Sequence, residues 1–203
     1  TAMVQEQKGK EVGREYEDET SLKKKREGGD GDEGVAPKKA KKEASSLGNI
    51  TDKNIAQLKL LNSVVFPVRY KESFYRDVVA ADPVLTKLAF YNRDILAGAV
   101  CCKEVVEDGV TKLYIMTLGV LAAYRNLGIG RQLLEYVLET VVKARPNCKQ
   151  VYLHVQVNND TALNFYAKFG FKVGATLEGY YKRLEPSSCH VLVKDLTEET
   201  VES

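Results

Sequence analysis

The sequence predicts an α/β domain in which a mixed, mostly antiparallel β-sheet is flanked by helices on both faces. The first observation is periodicity, because apolar residues recur at helical spacing in some segments and alternate with polar residues in others. The second is the order of the segments: two helices, a meander of three strands, then a helix, a strand, a helix and a closing hairpin. Helices that connect strands of one sheet must cover its faces, so this order predicts layers on both sides.

The helices at the start of the domain are delimited by prolines. Either Thr51 or Asp52 could cap the first helix, which should stop before Pro67 because the residue preceding proline avoids the helical conformation. Residues 71–81 are predicted as a second, shorter helix that ends before Pro83. The apolar positions of the first helix recur near helical period at Ile55, Leu58, Leu61 and Val65.

Three strand-like runs follow, at residues 87–91, 95–106 and 112–120. Short polar segments at residues 92–94 and 107–109 separate them, and the second of these contains a glycine. Runs joined by such short turns pair with their neighbours in opposite directions, which predicts an antiparallel meander.

The second half of the domain alternates helices with strands. Residues 128–144 form a long predicted helix, and residues 150–157 alternate between apolar and polar side chains like a half-buried strand. A further helix begins at a cap, Asn158 or Asn159, and ends at Gly170. Two last strands are predicted at residues 171–174 and 190–196. The long helix carries one apolar stripe: Ile129, Leu133, Leu134, Val137, Leu138, Val141 and Val142.

Charge and composition divide the chain into a tail and a domain. Residues 1–46 contain 11 basic and 11 acidic residues and no apolar run, and such a segment cannot bury enough surface to offset the entropy of ordering. We therefore predict a disordered tail at residues 1–46, a domain at residues 47–198 and a short tail at residues 199–203. The domain is nearly neutral, with 19 basic and 17 acidic residues from residue 49 onward, which argues against a nucleic-acid-binding function.

The cysteines favour neither a metal site nor disulfides. The four cysteines form no C-x-x-C pair and have no histidines at metal-binding spacing, so we expect no metal and reduced thiols in a cytoplasmic or nuclear protein. No apolar run approaches the length of a membrane span, and the first residues are charged, so we expect no membrane association.

The residues between the third strand and the long helix predict an anion site. Arg125, Gly128 and Gly130 form an R-x-x-G-x-G pattern at the start of that helix. Free amides and the positive end of the helix dipole favour a phosphate there, and glycine lets it approach the backbone. The pattern lacks the G-K-S/T ending of a Walker loop and the third glycine of a dinucleotide loop. Alone it is weak, because the glycines could merely form a turn.

The wider sequence resembles the GNAT acetyltransferases and, within them, the amino-terminal acetyltransferases of the NatE type. The resemblance covers about residues 47–196 and departs little: Ala123 and Asn126 replace a frequent proline and a common basic residue. It implies the acyl-CoA N-acyltransferase fold and acetyl-coenzyme A as the cosubstrate. The matching segments are residues 61–62, 66–70, 113–119, 124–130, 152–156, 164–171 and 180–186.

The resemblance also implies roles for individual residues. Tyr114 and His154 would lie on neighbouring strands and together position a water that takes the proton of the incoming amine. The cofactor-binding residues would be Leu118, Val120, Arg125, Asn126, Gly128, Ile129, Gly130, Asn159 and Tyr166. The peptide groove would be formed by Phe66, Pro67, Val68, Tyr70, Met116, Tyr180, Tyr181 and Leu184.

A histidine base suits an acetyl acceptor whose amino group has a low pKa. An α-amino group titrates near pH 7.7–8.0, so roughly a tenth of it is neutral at pH 7 and a histidine is a sufficient base. Simpler interpretations exist: His154 could be a satisfied core histidine, Tyr114 a cross-strand packing residue, and the aromatic loop and hairpin ordinary apolar segments. We expect His190 to be a strand residue without a special role.

Two alternatives to an amino-terminal acetyltransferase remain. The same fold could acetylate lysines, or the chain could be a largely non-catalytic subunit docked on a NatA-type scaffold at the ribosome. For the amino-terminal acetyltransferase that the resemblance implies, the expected partners are protein amino-terminal peptides and the NatA scaffold and catalytic subunits. The basic clusters at residues 23–26 and 38–42 suggest a nuclear-import signal or contact with ribosomal RNA, although a solvated tail would show the same pattern.

Overall fold

The structure, a computed structural model, describes residues 45–196. The two basic clusters and the carboxy-terminal tail lie outside the described residues. The helices are α1 (Ile55–Val65), α2 (Glu72–Ala80), α3 (Ile129–Tyr136) and α4 (Asp160–Ala167). The strands are β1 (Ser46–Asn49), β2 (Thr86–Tyr91), β3 (Ile95–Glu107), β4 (Val110–Val120), β5 (Cys148–Gln156), β6 (Lys172–Leu177) and β7 (Cys189–Asp195). Short 3₁₀ turns lie at Pro83–Leu85 and Ala122–Tyr124, and a π-helical turn at Val137–Val141.

The strands form a single seven-stranded sheet in the order β1-β2-β3-β4-β5-β7-β6. Among the described strands, the β4–β5 pair is parallel and every other pair is antiparallel. The predicted meander is β2–β3–β4, and the predicted closing hairpin is β6–β7. The mixed, mostly antiparallel sheet that the sequence predicts is therefore confirmed.

Helices cover both faces of the sheet, and each face has its own apolar core under the helices. On one face, the apolar stripe of α3 packs on inward residues of β3, β4 and β5, such as Val100, Leu113 and Val151. On the other face, Leu58 and Leu61 of α1 meet α2 and the strands. The burial of these two sets is what holds the layers together.

A one-residue bulge in β4 changes which side chains face which layer. Cys101 of β3 pairs with Thr117, and Cys102 pairs with Ile115, so Met116 is an extra residue in β4. The apolar core that α3 and α4 cover, the α3–α4 core, contains Ile115 before the bulge. After the bulge, Leu118 packs against that same core. Bulges often lie beside functional sites because they re-aim side chains.

Several elements differ from their predicted bounds. Strand β1 was not predicted, and Ser46, the last residue of the predicted tail, begins it; its Gly48 packs under the Phe90 ring instead of contributing to an alternating pattern. The predicted helix 128–144 is interrupted after Tyr136 by the π-helical turn, where the Val142 amide donates to the Val137 carbonyl. That helix is therefore not continuously α-helical.

The predicted cap of α1 is wrong, and the last strands are shifted by one to three residues. Asn54 precedes α1, and its side chain accepts a hydrogen bond from the Thr51 amide, so residues 51–54 form a turn before the helix instead of its cap. At the last predicted helix, which is α4, the capping residue is Asn159, one of the two predicted candidates. Strands β6 and β7 begin at Lys172 and Cys189 and end at Leu177 and Asp195.

Candidate active site

The centre of the sheet opens where the two parallel strands part. The β4–β5 pairing runs up to Tyr114 and Tyr152, while β4 continues to Val120 and β5 continues to Gln156 in pairing with β7. Among the described strands none pairs with residues 115–120 on the β5 side. Backbone groups that face such a gap must find partners elsewhere, so this stretch can hydrogen-bond an extended ligand. The predicted cofactor residues Leu118 and Val120 lie on it.

The loop at the end of β4 presents backbone amides at the start of α3. Asn126 and Gly128 have positive φ angles of 63° and 87°, and such turns expose successive amides. The first hydrogen bond of the helix joins the Gln132 amide to the Gly128 carbonyl, so the preceding amides have no partner within the helix. The Arg125 side chain lies over the end of β4, and its Nε donates to the Val120 carbonyl at 3.2 Å.

The remaining residues of the glycine motif fix this loop against the domain. The Ile129 side chain is buried in the α3–α4 core, so its backbone is the part that can contact a ligand. A β-carbon at Gly130 would lie 3.7 Å from both Phe165 and Val120, an ordinary contact. The loop at residues 125–130 therefore holds five of the predicted cofactor-binding positions together, and their role as cofactor contacts stays a prediction.

Helix α4 carries the two other predicted cofactor residues. Asn159 caps this helix, and its Oδ1 accepts a hydrogen bond from the Ala162 amide at 3.1 Å. Tyr166 is 6% exposed and packs between Phe165 and Phe171; burial raises the pKa of its hydroxyl well above 10. The structure thus assigns both residues a packing or capping task, and their contact with a cofactor stays a prediction.

The two predicted catalytic residues meet just where β4 and β5 part. His154 Nδ1 lies 3.1 Å from the Tyr114 hydroxyl, within hydrogen-bonding distance. Tyr152 stacks on Tyr114 with a centroid distance of 4.9 Å and lies edge-on to His154. Both candidates project from the α1–α2 face, because Leu113, Val151 and the other alternate positions of the two strands fill the opposite core.

Burial sets the protonation states of this pair. It lowers the pKa of His154 below its ordinary value of 6.5, so the imidazole is neutral at physiological pH. It also raises the pKa of Tyr114 far above 10, and the neighbouring Tyr180 hydroxyl raises it further through charge and a hydrogen bond. A neutral imidazole beside a hydroxyl that keeps its proton can accept one proton at a fixed position.

The α1–α2 loop lies over the end of β4. The Phe66 and Tyr70 rings meet edge-on at 6.0 Å, and Tyr70 is 4.6 Å from Phe74. Pro67 is exposed and Val68 is half-buried. Burial raises the pKa of Tyr70 well above 10, as do its neighbours on the β6–β7 hairpin. Phe66 and Tyr70 therefore form the aromatic wall of this loop, and Pro67 and Val68 lie between them in the sequence.

The hairpin between β6 and β7 supplies the facing wall. Tyr180 stacks on the His154 ring at 4.6 Å with 18° between the planes, and Tyr181 lies edge-on to Tyr180 at 4.9 Å. Leu184 in the hairpin and Met116 at the β4 bulge are both half-buried. The structure thus brings Tyr180 and Tyr181 directly to the predicted base, while it records no contact that joins Leu184 to this cluster.

Three residues at the site were not predicted from the sequence. Tyr152 stacks on Tyr114, and Gln156 Nε2 donates to the Pro186 carbonyl at 2.7 Å, which ties the hairpin to β5. Gly119 lies under Val65 and Phe66, where a β-carbon would come within 2.7 Å and 2.9 Å of their side chains. A glycine inside a strand signals such a close approach, and that signal was available in the sequence.

Other kinds of site are not evident in the part of the chain that the structure describes. No group of three or more histidine, cysteine or carboxylate side chains is arranged to hold a metal ion within residues 45–196. All four cysteines are buried free thiols, and burial raises the pKa of Cys101 to about 11. No helix among residues 45–196 has the length and apolar character needed to cross a membrane.

Comparisons with known proteins agree with this geometry. The model of the acetyltransferase (GNAT) family matches residues 55–171. Over 150 residues the chain is 51% identical to the probable N-acetyltransferase san of Drosophila melanogaster, covering 74% of this chain and 80% of that protein. It is 49% identical to N-alpha-acetyltransferase 50 of Danio rerio, covering 74% of this chain and 88% of that protein.

A solved structure extends the similarity to a bound ligand. The chain is similar to Arabidopsis thaliana Naa50 in complex with the bisubstrate analogue CoA-Ac-MVNAL, with a TM-score of 0.69 and 48% sequence identity. The match covers 75% of this chain and 99% of the Arabidopsis chain. The ligand of that protein joins coenzyme A, an acetyl group and a peptide that begins with methionine.

Proposed function

The chain belongs to the GNAT acetyltransferase family, and we propose that it is an N-terminal methionine N-alpha-acetyltransferase, which transfers acetyl from acetyl-coenzyme A to the free α-amino group of protein amino termini. One observation carries the proposal: the Tyr114–His154 pair lies at the mouth of the β4–β5 gap and under two aromatic walls. The bisubstrate analogue of the similar Arabidopsis protein combines the same two substrates.

The residues present fit acetyl-coenzyme A as the cosubstrate. The unpaired edge of β4 at residues 115–120 can hydrogen-bond the amides of the pantetheine arm. The amides of Gly128, Ile129 and Gly130, with the dipole of α3, can hold the pyrophosphate. The cosubstrate supplies an acetyl group already activated as a thioester, so no nucleophile of the protein is required.

The protonation chemistry suits an α-amine. The α-amino group has a pKa near 7.7–8.0, whereas a lysine near 10.4 is neutral in only about one molecule in two thousand at pH 7. A buried, neutral histidine is a weak base that matches the first task and is poorly matched to the second. The protonation state of the site therefore favours amino termini.

His154 is the proton acceptor in this proposal. It takes the amine proton through a water, and the resulting imidazolium is stabilised by its contact with the Tyr114 oxygen. Because its pKa is raised, Tyr114 keeps its proton in the neutral pH range, so it positions the water and the imidazole without acting as a base. The neutral nitrogen attacks the thioester carbon directly, the carbon–sulfur bond breaks, and the leaving thiolate takes the proton that the nitrogen loses as the amide forms.

The aromatic walls select a chain end. Tyr70 from the α1–α2 loop is near enough to Tyr180 and Tyr181 of the hairpin to interact with them electrostatically, so the two aromatic walls are neighbours at the site. A groove between two such walls admits the first residues of a peptide more readily than a lysine in the middle of a chain. From the family resemblance, and from the methionine that begins the peptide of the Arabidopsis analogue, we infer that the substrates retain methionine at the first position, followed by a hydrophobic or small residue.

The first experiment measures acetyl transfer by the full chain to a peptide that starts Met-Leu. The comparison peptide has a blocked amino terminus and an internal lysine. We expect acetylation of the free terminus alone, and losses of about 10²–10⁴-fold in kcat for His154→Gln and Tyr114→Phe, the range of general acid–base catalysis. His190→Gln is the matched control, because His190 is the only other histidine and bonds Thr176 at the far side of β7.

Each outcome decides between the alternatives. Equal or faster acetylation of the blocked peptide would make the chain a lysine acetyltransferase. No transfer to either peptide, with no thermal shift on adding acetyl-coenzyme A, would indicate a non-catalytic subunit. Activity that survives in His154→Gln would exclude the proposed base while leaving the substrate class intact.

The cellular setting is a separate proposal. We propose a cytoplasmic protein that docks on a NatA-type scaffold and its catalytic subunit at the ribosome, and that enters the nucleus through the basic clusters at residues 23–26 and 38–42. The family resemblance and the charge pattern support these two parts. To test nuclear import, the lysines of both clusters are replaced by glutamine in a fluorescent fusion, which should abolish the nuclear signal. To test docking, a tagged NatA-type scaffold should co-purify with the intact chain.

A further inference from the structure

His154 is enclosed by aromatic rings in two different ways. Tyr114 from the neighbouring strand β4 and Tyr152 from its own strand β5 approach it edge-on, at 78° and 82°. Tyr180 alone among these three lies parallel to the imidazole, at 4.6 Å and 18°. The hairpin residue therefore covers a face of the ring, and the two strand residues limit its edges. Rotation of the imidazole would break the stack first.

The hairpin that carries Tyr180 is fastened to the strand that carries His154. Gln156, two residues after His154, donates from Nε2 to the Pro186 carbonyl at 2.7 Å. The Val157 amide donates to the Ser188 carbonyl at 3.2 Å, and the Tyr181 amide donates to the Ser187 carbonyl at 2.8 Å. These bonds fix both sides of the loop, so the position of the Tyr180 ring is set by β5 itself.

Two further features direct Tyr180 to this place. Gly179 precedes Tyr180 with a φ of +64°, and a β-carbon at residue 179 would meet no atom within 4 Å. The backbone turn, and not close packing, is therefore the reason for a glycine at this position. The Tyr180 hydroxyl shares a hydrogen bond with the Tyr114 hydroxyl, which itself contacts His154 Nδ1. Tyr114, His154 and Tyr180 thus form a closed triangle of contacts.

We propose that Tyr180 is a positioning residue for His154: its ring holds the imidazole in one orientation and shields one of its faces from bulk water. The base is then competent only while the hairpin holds Tyr180 on the imidazole, the position that we call seated. This inference rests on the function proposed above and adds a task to a residue so far assigned only to the groove. The peptide, which binds against the same hairpin, would then favour the seated conformation and link substrate binding to base alignment.

The groups that face His154 decide how its titration should respond. They are the phenols of Tyr114 from β4, Tyr152 from β5 and Tyr180 from the hairpin, and burial raises the pKa of Tyr152 to about 12. Because their pKa values are raised, Tyr114 and Tyr152 are neutral near pH 7. Burial is the cause of the lowered His154 pKa, so opening the Tyr180 side to water should raise that pKa toward 6.5.

The test uses the full chain in a His190→Gln background, where His154 is the only histidine and its imidazole proton resonance can be titrated by NMR. Tyr180→Leu removes the stack; Tyr180→Phe keeps the ring and removes the hydroxyl. For Tyr180→Leu we expect the His154 pKa to rise toward 6.5 and kcat to fall by about 10²-fold, the cost of a misplaced catalytic group, with a smaller change in peptide KM. Tyr180→Phe, which keeps the ring, should retain most of the kcat and most of the lowering of the His154 pKa.

A second variant covers the case in which Tyr180→Leu does not fold. Gly179→Ala keeps Tyr180 but strains the turn before it, and Gly109→Ala is its matched control, with a φ of +78° and equally empty surroundings in the β3–β4 turn. Gly179→Ala should shift the His154 titration in the same direction, and Gly109→Ala should not.

The two proposals fail in different ways. If the His154 titration and kcat are unchanged in Tyr180→Leu or Gly179→Ala while peptide KM rises, Tyr180 is only a groove wall and the inference is wrong. If the unaltered chain transfers no acetyl group to a free amino terminus, the proposed function fails. The NMR titration, which needs no substrate, would still report whether Tyr180 positions the imidazole.

Discussion

The Phe66 ring lies so close to the Gly119 backbone that a β-carbon at residue 119 would come within 2.9 Å of Phe66 Cζ. Val65 Cγ1, at 2.7 Å, is closer still. This contact joins the strand edge that we assign to the cosubstrate with the loop that we assign to the peptide. The two substrates of an acetyl transfer must meet there, so the close approach brings their sites to the required separation.

Gly119→Ala should therefore weaken peptide binding. The added methyl group cannot fit unless the α1–α2 loop moves outward, because the sheet backbone beneath it is fixed by pairing with β3. We expect peptide KM to rise by roughly tenfold, the effect of losing about 1.4 kcal/mol of binding free energy. Steady-state kinetics with the Met-Leu peptide measures it.

Gly48→Ala is the matched control for that substitution. Its β-carbon would meet the Phe90 ring at 2.9 Å, a similar clash, but it lies on the edge strand β1. It should lower the melting temperature without changing peptide KM. A similar rise in KM in both variants would show that the Gly119 effect is general destabilisation.

The pH dependence of the reaction should follow the lowered pKa of His154. The imidazole loses its proton below pH 6.5, so the acidic limb of kcat should lie below that value. The kcat/KM for the peptide should continue to rise to about pH 8, because the free α-amine titrates near 7.7–8.0. His154→Gln should lose the acidic limb of kcat. A limb above pH 6.5 in the unaltered chain would contradict the burial effect.

The free energy of unfolding should also depend on pH through His154, and the direction of that dependence follows from its lowered pKa. The folded pKa lies below the unfolded value of 6.5, so between the two pKa values the unfolded chain binds more protons. The contribution of His154 to the free energy of unfolding is thus fully present above pH 6.5 and is lost as pH falls through the folded pKa. Urea unfolding at several pH values, compared with His154→Gln, isolates this contribution.

The sequence predicted the sheet and the layers, because these follow from local patterns, whereas the residues of the candidate site were predicted from the family resemblance. Period-two alternation in residues 150–157 assigned His154 to the face opposite Val151, and the structure agrees. The parallel contact of His154 with Tyr180 joins residues 26 positions apart through a loop without periodicity, so no local pattern could predict it. The bulge at Met116 and the π-helical turn at Val137–Val141 likewise depend on packing against neighbouring elements.

Gly128→Ala should impair the cosubstrate site selectively. Residue 128 has a φ of 87°, and an L-residue in that conformation costs about 1–2 kcal/mol, so the loop should relax and misalign its amides. We expect KM for acetyl-coenzyme A to rise by about tenfold, for a loss of about 1.4 kcal/mol in binding, while peptide KM stays constant. Gly109→Ala carries a similar strain at a φ of 78° in a distant turn and should leave both KM values unchanged.

Asn159 allows its capping role to be separated from its predicted role at the cosubstrate. The side-chain oxygen caps α4, and the side-chain amide remains available as a donor. Asn159→Asp keeps an equally good cap but removes the donor, so its melting temperature should be unchanged while KM for acetyl-coenzyme A rises. Asn159→Ala removes both and should also lose about 1 kcal/mol of stability. If Asn159→Asp binds acetyl-coenzyme A normally, the residue only caps the helix, and the cosubstrate contact inferred from the family resemblance does not hold in this chain.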